Sequence, residues 1–171
     1  MKRLMIAAAA MIAVPAGAHI VFAPAEAPAG SYYAGEFRVG HGCGDAATTA
    51  VRVTIPADVL IARPRPKPGW TIEMERAPLP APVMSEGREV RDRVSAITWR
   101  GQLPGDQFDG FGLMLKLPDG RTGPLYLPVR QSCGTDSVEW SEIPAEGQSW
   151  GSMKRPAPMI ELKPAESHHM H

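Results

Sequence analysis

The chain has 171 residues, with 18 basic and 18 acidic side chains and a formal net charge of zero. That length suits one domain, and the balanced charge offers no basic footprint for nucleic acid. Eighteen prolines and seventeen glycines break the chain too often for a long helical bundle, while an apolar content of 44% is too high for a disordered one, which leaves a turn-rich, all-β domain.

Residues 1–18 read as an export signal. Lys2 and Arg3 form a basic start, Leu4 to Val14 an apolar run, and Ala16-Gly17-Ala18 a small-residue cleavage box. The apolar run is shorter than the roughly 20 residues of a membrane span. Cleavage after Ala18 makes His19 the first residue of a mature chain working in the periplasm or outside the cell. Residues 19–171 carry 16 basic and 18 acidic side chains, a slightly acidic balance.

Eight short runs with strand character follow: His19 to Ala23, Tyr33 to Val39, Thr49 to Ile55, Trp70 to Glu75, Val94 to Trp99, Phe111 to Leu117, Leu125 to Arg130 and Val138 to Trp140. In the third, Val51, Val53 and Ile55 alternate with Arg52 and Thr54, the period of a half-buried strand. Leu113, Leu115 and Leu117 alternate in the same way. Pro104-Gly105-Asp106 and Pro118-Asp119-Gly120 are turn signals. Arg63 to Gly69, with alternating prolines and basic residues, reads as an extended, solvated connection whose charges serve solubility. Ala77 to Pro82 reads as a second proline-rich loop. Strands at this spacing predict a β-sandwich over residues 19–147. Residues 148–171 read as a loop-like tail.

Cys43 and Cys133 are the only cysteines. In an oxidising compartment a pair is most simply a disulfide, and closing so long a loop stabilises by roughly 4 kcal/mol in the chain-entropy view. A thiolate metal site is the alternative, but no Cys-x-x-Cys spacing supports it.

A histidine at the head of a chain offers two nitrogens from one residue, the α-amino group and imidazole Nδ1. Together they close a six-membered chelate ring. The amine titrates near 7.7–8.0, so a metal competes easily with its proton. A nitrogen-rich tetragonal site suits Cu(II). The other reading of His19 is a solvated residue that begins the first strand. Ile20-Val21-Phe22 would dock that strand and hold the terminus in place.

Several stretches together resemble the YcnI-like family of bacterial exported copper-binding proteins. They are Ala18 to Pro24, Ala27 to Tyr32, Phe37-Arg38-Val39, Thr48 to Pro56, Pro66 to Trp70, Phe108 to Phe111 and Val138-Glu139-Trp140. The resemblance implies a sandwich of cupredoxin or immunoglobulin type. It also implies Cu(II) held by the mature N-terminal histidine, a carboxylate ligand and a nearby tryptophan. His19 matches the histidine and Trp140 the tryptophan. The carboxylate is where the chain departs. Relatives often carry Val-Pro-Asn-Glu where this sequence reads Val39-Gly40-His41-Gly42-Cys43. His41 is then a candidate third nitrogen, and Glu139, Glu142 and Glu36 are candidate oxygens. His168, His169, Met170 and His171 form a possible accessory site for copper, whose two oxidation states suit His and Met together.

The expected function is a periplasmic copper-binding protein, a chaperone or store whose recipient is a membrane copper importer or a cuproenzyme. A histidine-brace monooxygenase and a metal-free immunoglobulin-like module are the alternatives. A hydrolase or phosphate-binding enzyme is not expected, since neither a Gly-x-Ser-x-Gly elbow nor a phosphate loop occurs.

Overall fold

The computed structural model describes residues 19–165. The expected signal at 1–18 and the His/Met end at 168–171 lie outside the described residues. Among the described residues twelve strands follow one another: β1 (Val21–Ala23), β2 (Glu26–Pro28), β3 (Tyr32–Val39), β4 (Thr48–Thr54), β5 (Ala62–Pro64), β6 (Thr71–Ser85), β7 (Arg88–Leu103), β8 (Asp109–Lys116), β9 (Gly123–Tyr126), β10 (Val129–Cys133), β11 (Asp136–Trp140) and β12 (Met159–Lys163). A single 3-10 turn, Trp150–Ser152, lies between the last two.

The strands form a four-stranded sheet in the order β1-β3-β8-β5, a five-stranded sheet β11-β10-β4-β7-β6, and a small sheet β2-β12-β9. The first two face each other across the core. Alternation decides which residues go inside. Val51 and Val53 of β4 are fully buried while Arg52 between them faces out, and Phe111, Leu113 and Leu115 of β8 are buried in the same way. Aromatic rings join the two sheets. Phe37 of β3 meets Trp99 of β7 with centroids 6.2 Å apart, and Trp99 meets Phe111 at 5.8 Å. Burying such rings contributes on the order of 2–3 kcal/mol each.

The fold differs from the sequence expectation in four places. Leu125 to Arg130 is not one strand: Pro128 interrupts it, β9 pairs with β12, and β10 pairs with β4 and β11. Ala77 to Pro82 is not a free loop but part of β6. Pro78 pairs with Asp92 and Val83 with Val90, so Leu79 to Pro82 bulge opposite Arg91 alone. The β6–β7 hairpin turns on Glu86 and Gly87, at φ 51° and 74°, the two-residue turn whose twist matches its strands. Arg63 belongs to a short strand, β5. Finally, the folded unit does not stop at residue 147. Ile160 and Leu162 of β12 are core residues at 0% and 1% exposure, and β12 joins β2 to β9.

Strand order places the region of interest. β1 ends one sheet and β11 ends the other, and His19, two residues before β1, meets Trp140 of β11 at this side of the sandwich. In β1, Val21 pairs with Arg38 and Phe22 with Phe37. Carrying that register back sets His19 beside Gly40, next to the loop that holds His41 and Cys43.

Candidate functional site

His19 is half-buried, with Ile20 fully buried behind it. Its imidazole is flanked by two indoles. Trp140 lies 6.2 Å away between ring centroids, with the planes at 67°. Trp150 lies 5.2 Å away, at 88°. Edge-on arrangements of this kind favour aromatic pairs electrostatically. The sandwich therefore holds the histidine between a tryptophan from the last strand of one sheet and a tryptophan from the connection that follows it.

Both indole nitrogens are turned to protein acceptors. Trp150 Nε1 donates to the Ala157 carbonyl at 2.7 Å. Trp140 Nε1 donates to Gln131 Oε1 at 3.1 Å. Gln131 is 1% exposed and sits on β10 two residues from the position opposite Trp140, so the two side chains share the inward face. Its amide nitrogen donates to the His41 carbonyl at 2.7 Å and to Thr48 Oγ1 at 2.8 Å. A buried glutamine satisfied on both ends fixes its neighbours in place. The indoles thus present carbon surfaces to His19.

The disulfide Cys43–Cys133 forms as expected. It ties the loop after β3 to the end of β10, and Thr48 Oγ1 approaches Cys133 Sγ at 3.9 Å. Trp140, Gln131, Thr48 and the disulfide form one continuous support behind the histidine.

Of the residues singled out from the sequence, His19 and Trp140 come together. His41 joins through its backbone carbonyl, and its exposed imidazole lies against the Gly42 carbonyl. Glu139 does not join: alternation along β11 turns it away from Trp140, onto the outer face, where it pairs with Arg130 at 3.1 Å. Glu142 accepts from the Arg155 backbone N–H at 3.0 Å. Glu36 faces outward between Arg65 and Arg38. Among the described residues, no three His, Cys, Asp or Glu side chains gather in a metal-holding group. Trp150 and Gln131 carry no signature in the sequence. A lone indole in a stretch of small and polar residues was the one available hint.

The fold and this flank define an immunoglobulin-like β-sandwich with an aromatic-walled histidine at its open side. A family model described as a domain of unknown function, DUF1775, matches residues 19–162, and the chain belongs to that family. No curated protein matches the chain. It is similar to an uncharacterized protein from Nocardia farcinica whose crystal structure reveals an immunoglobulin-like fold. The two are 28% identical with a TM-score of 0.62, over 84% of this chain and 97% of that one. Among the described residues, no helix is long and apolar enough to cross a membrane.

Proposed function

We propose that this chain is an exported copper-binding protein, a carrier or store that takes Cu(II) as its cargo at His19. The observation that carries the reading is the seat of His19: the residue that follows the expected cleavage box is the one held between two indoles. In the uncut chain its main-chain nitrogen is a peptide amide. Cleavage after Ala18 frees an amine, and only then does one residue supply two nitrogen donors.

The donor chemistry fits a single ion gripped by the His19 amine and imidazole. No carboxylate of the described residues contacts His19, so water or the partner molecule completes the coordination. The likeness to YcnI-like proteins supports copper as the metal. Trp140 and Trp150 shield one side of the site and hold the ring's orientation, while the N–H of each is engaged elsewhere. Fixing a chelating residue in advance lowers the ordering entropy lost on binding.

The test is to express the chain for export, confirm His19 as the first residue by intact mass, and titrate Cu(II) by EPR. The expected result is one site with nitrogen hyperfine structure, lost in His19→Ala and in a variant with one alanine inserted before His19. Retention of the same spectrum in both variants would overturn the reading.

A further inference from the structure

The two outer faces of the sandwich carry charge differently. On the five-stranded sheet three cross-strand pairs neutralise the middle of the face, Arg52 with Glu75, Arg100 with Glu73 and Arg130 with Glu139, at 2.9, 3.0 and 3.1 Å, and Arg93 is satisfied by the Ile55, Pro56 and Val94 carbonyls. On the four-stranded sheet the arginines outnumber the acids they could pair with. Arg38, Arg63 and Arg65 project from β3, β5 and the residue after β5 around one shallow groove, with Glu36 as the acid among them. Glu36 is shared, 3.1 Å from Arg65 and 3.6 Å from Arg38. Arg63 has no acid within ion-pair distance among the described residues. The flanking lysines are already matched, Lys67 with Asp109 at 2.6 Å and Lys116 with Asp119 at 3.9 Å. Three guanidinium groups against one carboxylate leave this groove at +2, in a chain whose residues 19–171 carry 16 basic and 18 acidic side chains.

The floor of the groove is backbone and small side chains. A Cβ on Gly112 would come 2.5 Å from Arg65 Nε, so the glycine leaves the room that the Arg65 side chain occupies against the sheet. Arg38 and Arg65 already hold one carboxylate, that of Glu36. Read in sequence, Arg63 and Arg65 are solubilising charges. Folded, they face one hollow with Arg38.

We propose that this face docks an acidic, extended peptide segment of a partner protein, with carboxylates received by Arg63 and by the two arginines that Glu36 now occupies. Planar guanidinium forks around a concave floor suit carboxylates carried along a strand-like segment better than a flat layer of lipid headgroups. The groove reaches β1, the strand that follows the candidate site: Ala23 lines it, and Arg38 pairs with Val21, two residues from His19. If the copper reading holds, the docked segment belongs to the recipient of the ion. The docking itself needs no metal.

The probe is a fluorescein-labelled deca-glutamate peptide added to the metal-free protein, read by anisotropy and by amide shifts in a 15N-labelled sample. The expected result is salt-sensitive binding with shifts confined to β1, β3, β5 and β8. Arg63→Glu with Arg65→Glu weakens it at least tenfold, at unchanged circular dichroism and melting temperature. The control Arg52→Glu with Arg130→Glu, on the paired face, leaves affinity within about twofold. Absence of binding at low salt, or equal affinity in the Arg63/Arg65 variant, would overturn the proposal. So would tighter binding to phosphatidylserine vesicles that the same variant abolishes, since the face would then belong to a membrane. The Cu(II) EPR spectrum of the Arg63/Arg65 variant is expected to match that of the parent, so the two readings stand or fall separately.

Discussion

The imidazole of His19 and the indole of Trp150 stand perpendicular, 5.2 Å between centroids, although they come from opposite ends of the folded chain. The contact makes the connection between β11 and β12 part of the candidate site. Trp150→Ala removes one wall and leaves Trp140 in place. Cu(II) affinity is expected to fall by up to about tenfold, the scale of one aromatic contact, and Cu(II) quenching of tryptophan fluorescence to shrink. A fluorescence titration of parent and variant checks this; identical curves would place Trp150 outside the site.

Gln131 supports the other wall. Replacing it by leucine leaves Trp140 Nε1 without its acceptor and the His41 carbonyl without its side-chain donor, inside the protein. Buried polar groups left unpaired destabilise by about 1–3 kcal/mol each, so Gln131→Leu is expected to lower stability by roughly 2–4 kcal/mol. Urea denaturation measures it. A loss below about 0.5 kcal/mol would mean the relay relaxes freely and positions nothing.

Stability beyond residue 147 is the next expectation. Ile160 is wholly buried between β2 and β9. Ile160→Ala should cost about 2–5 kcal/mol, and a chain cut after residue 147 should fail to give a cooperative thermal transition. A truncated protein that melts as sharply as the full chain would show that β12 is dispensable.

Alkaline pH should act through Tyr33. Its side chain is 4% exposed and its hydroxyl donates to the Pro24 carbonyl. Burial, reinforced by the negative charge of Glu36, pushes the phenol well above its ordinary value. The folded state therefore holds this proton more tightly than the unfolded chain, whose tyrosine titrates near 10. The associated stability is complete below about pH 10 and is lost as pH rises beyond it. Denaturation midpoints between pH 8 and 11.5 should fall more steeply for the parent than for Tyr33→Phe. Parallel profiles would remove Tyr33 from the account.

Much of the sandwich is legible in the sequence because strands with one buried face announce themselves by alternation, as in Ala50 to Ile55 and Gly112 to Leu117. The misread segments lack that signal. Leu125 to Val129 is an apolar run whose division at Pro128 depends on which partners each half finds. Leu79 to Pro82 carries prolines that argue against a strand, and it joins one only at an edge. In β12, Glu161 and Lys163 mask two core residues. At the candidate site, the cleavage box points to His19 and the family resemblance to Trp140, and the fold brings these two together. Trp150 and Gln131 were invisible because their meaning arises only when distant strands meet. His41 shows the limit most clearly: its residue type suggested an imidazole ligand, whereas its carbonyl joins the relay.

β6 ends its sheet, and three of its residues are Pro78, Pro80 and Pro82. A proline has no amide hydrogen to offer a neighbouring strand. Crowded copies of this protein therefore find an interrupted row of donors along the far part of that border, and the bulge beside it bends the row further out of line. The long hairpin, whose tip is held to the domain by the hydrogen bond from Tyr32 to Glu86, can leave this border exposed without inviting fibre-like stacking.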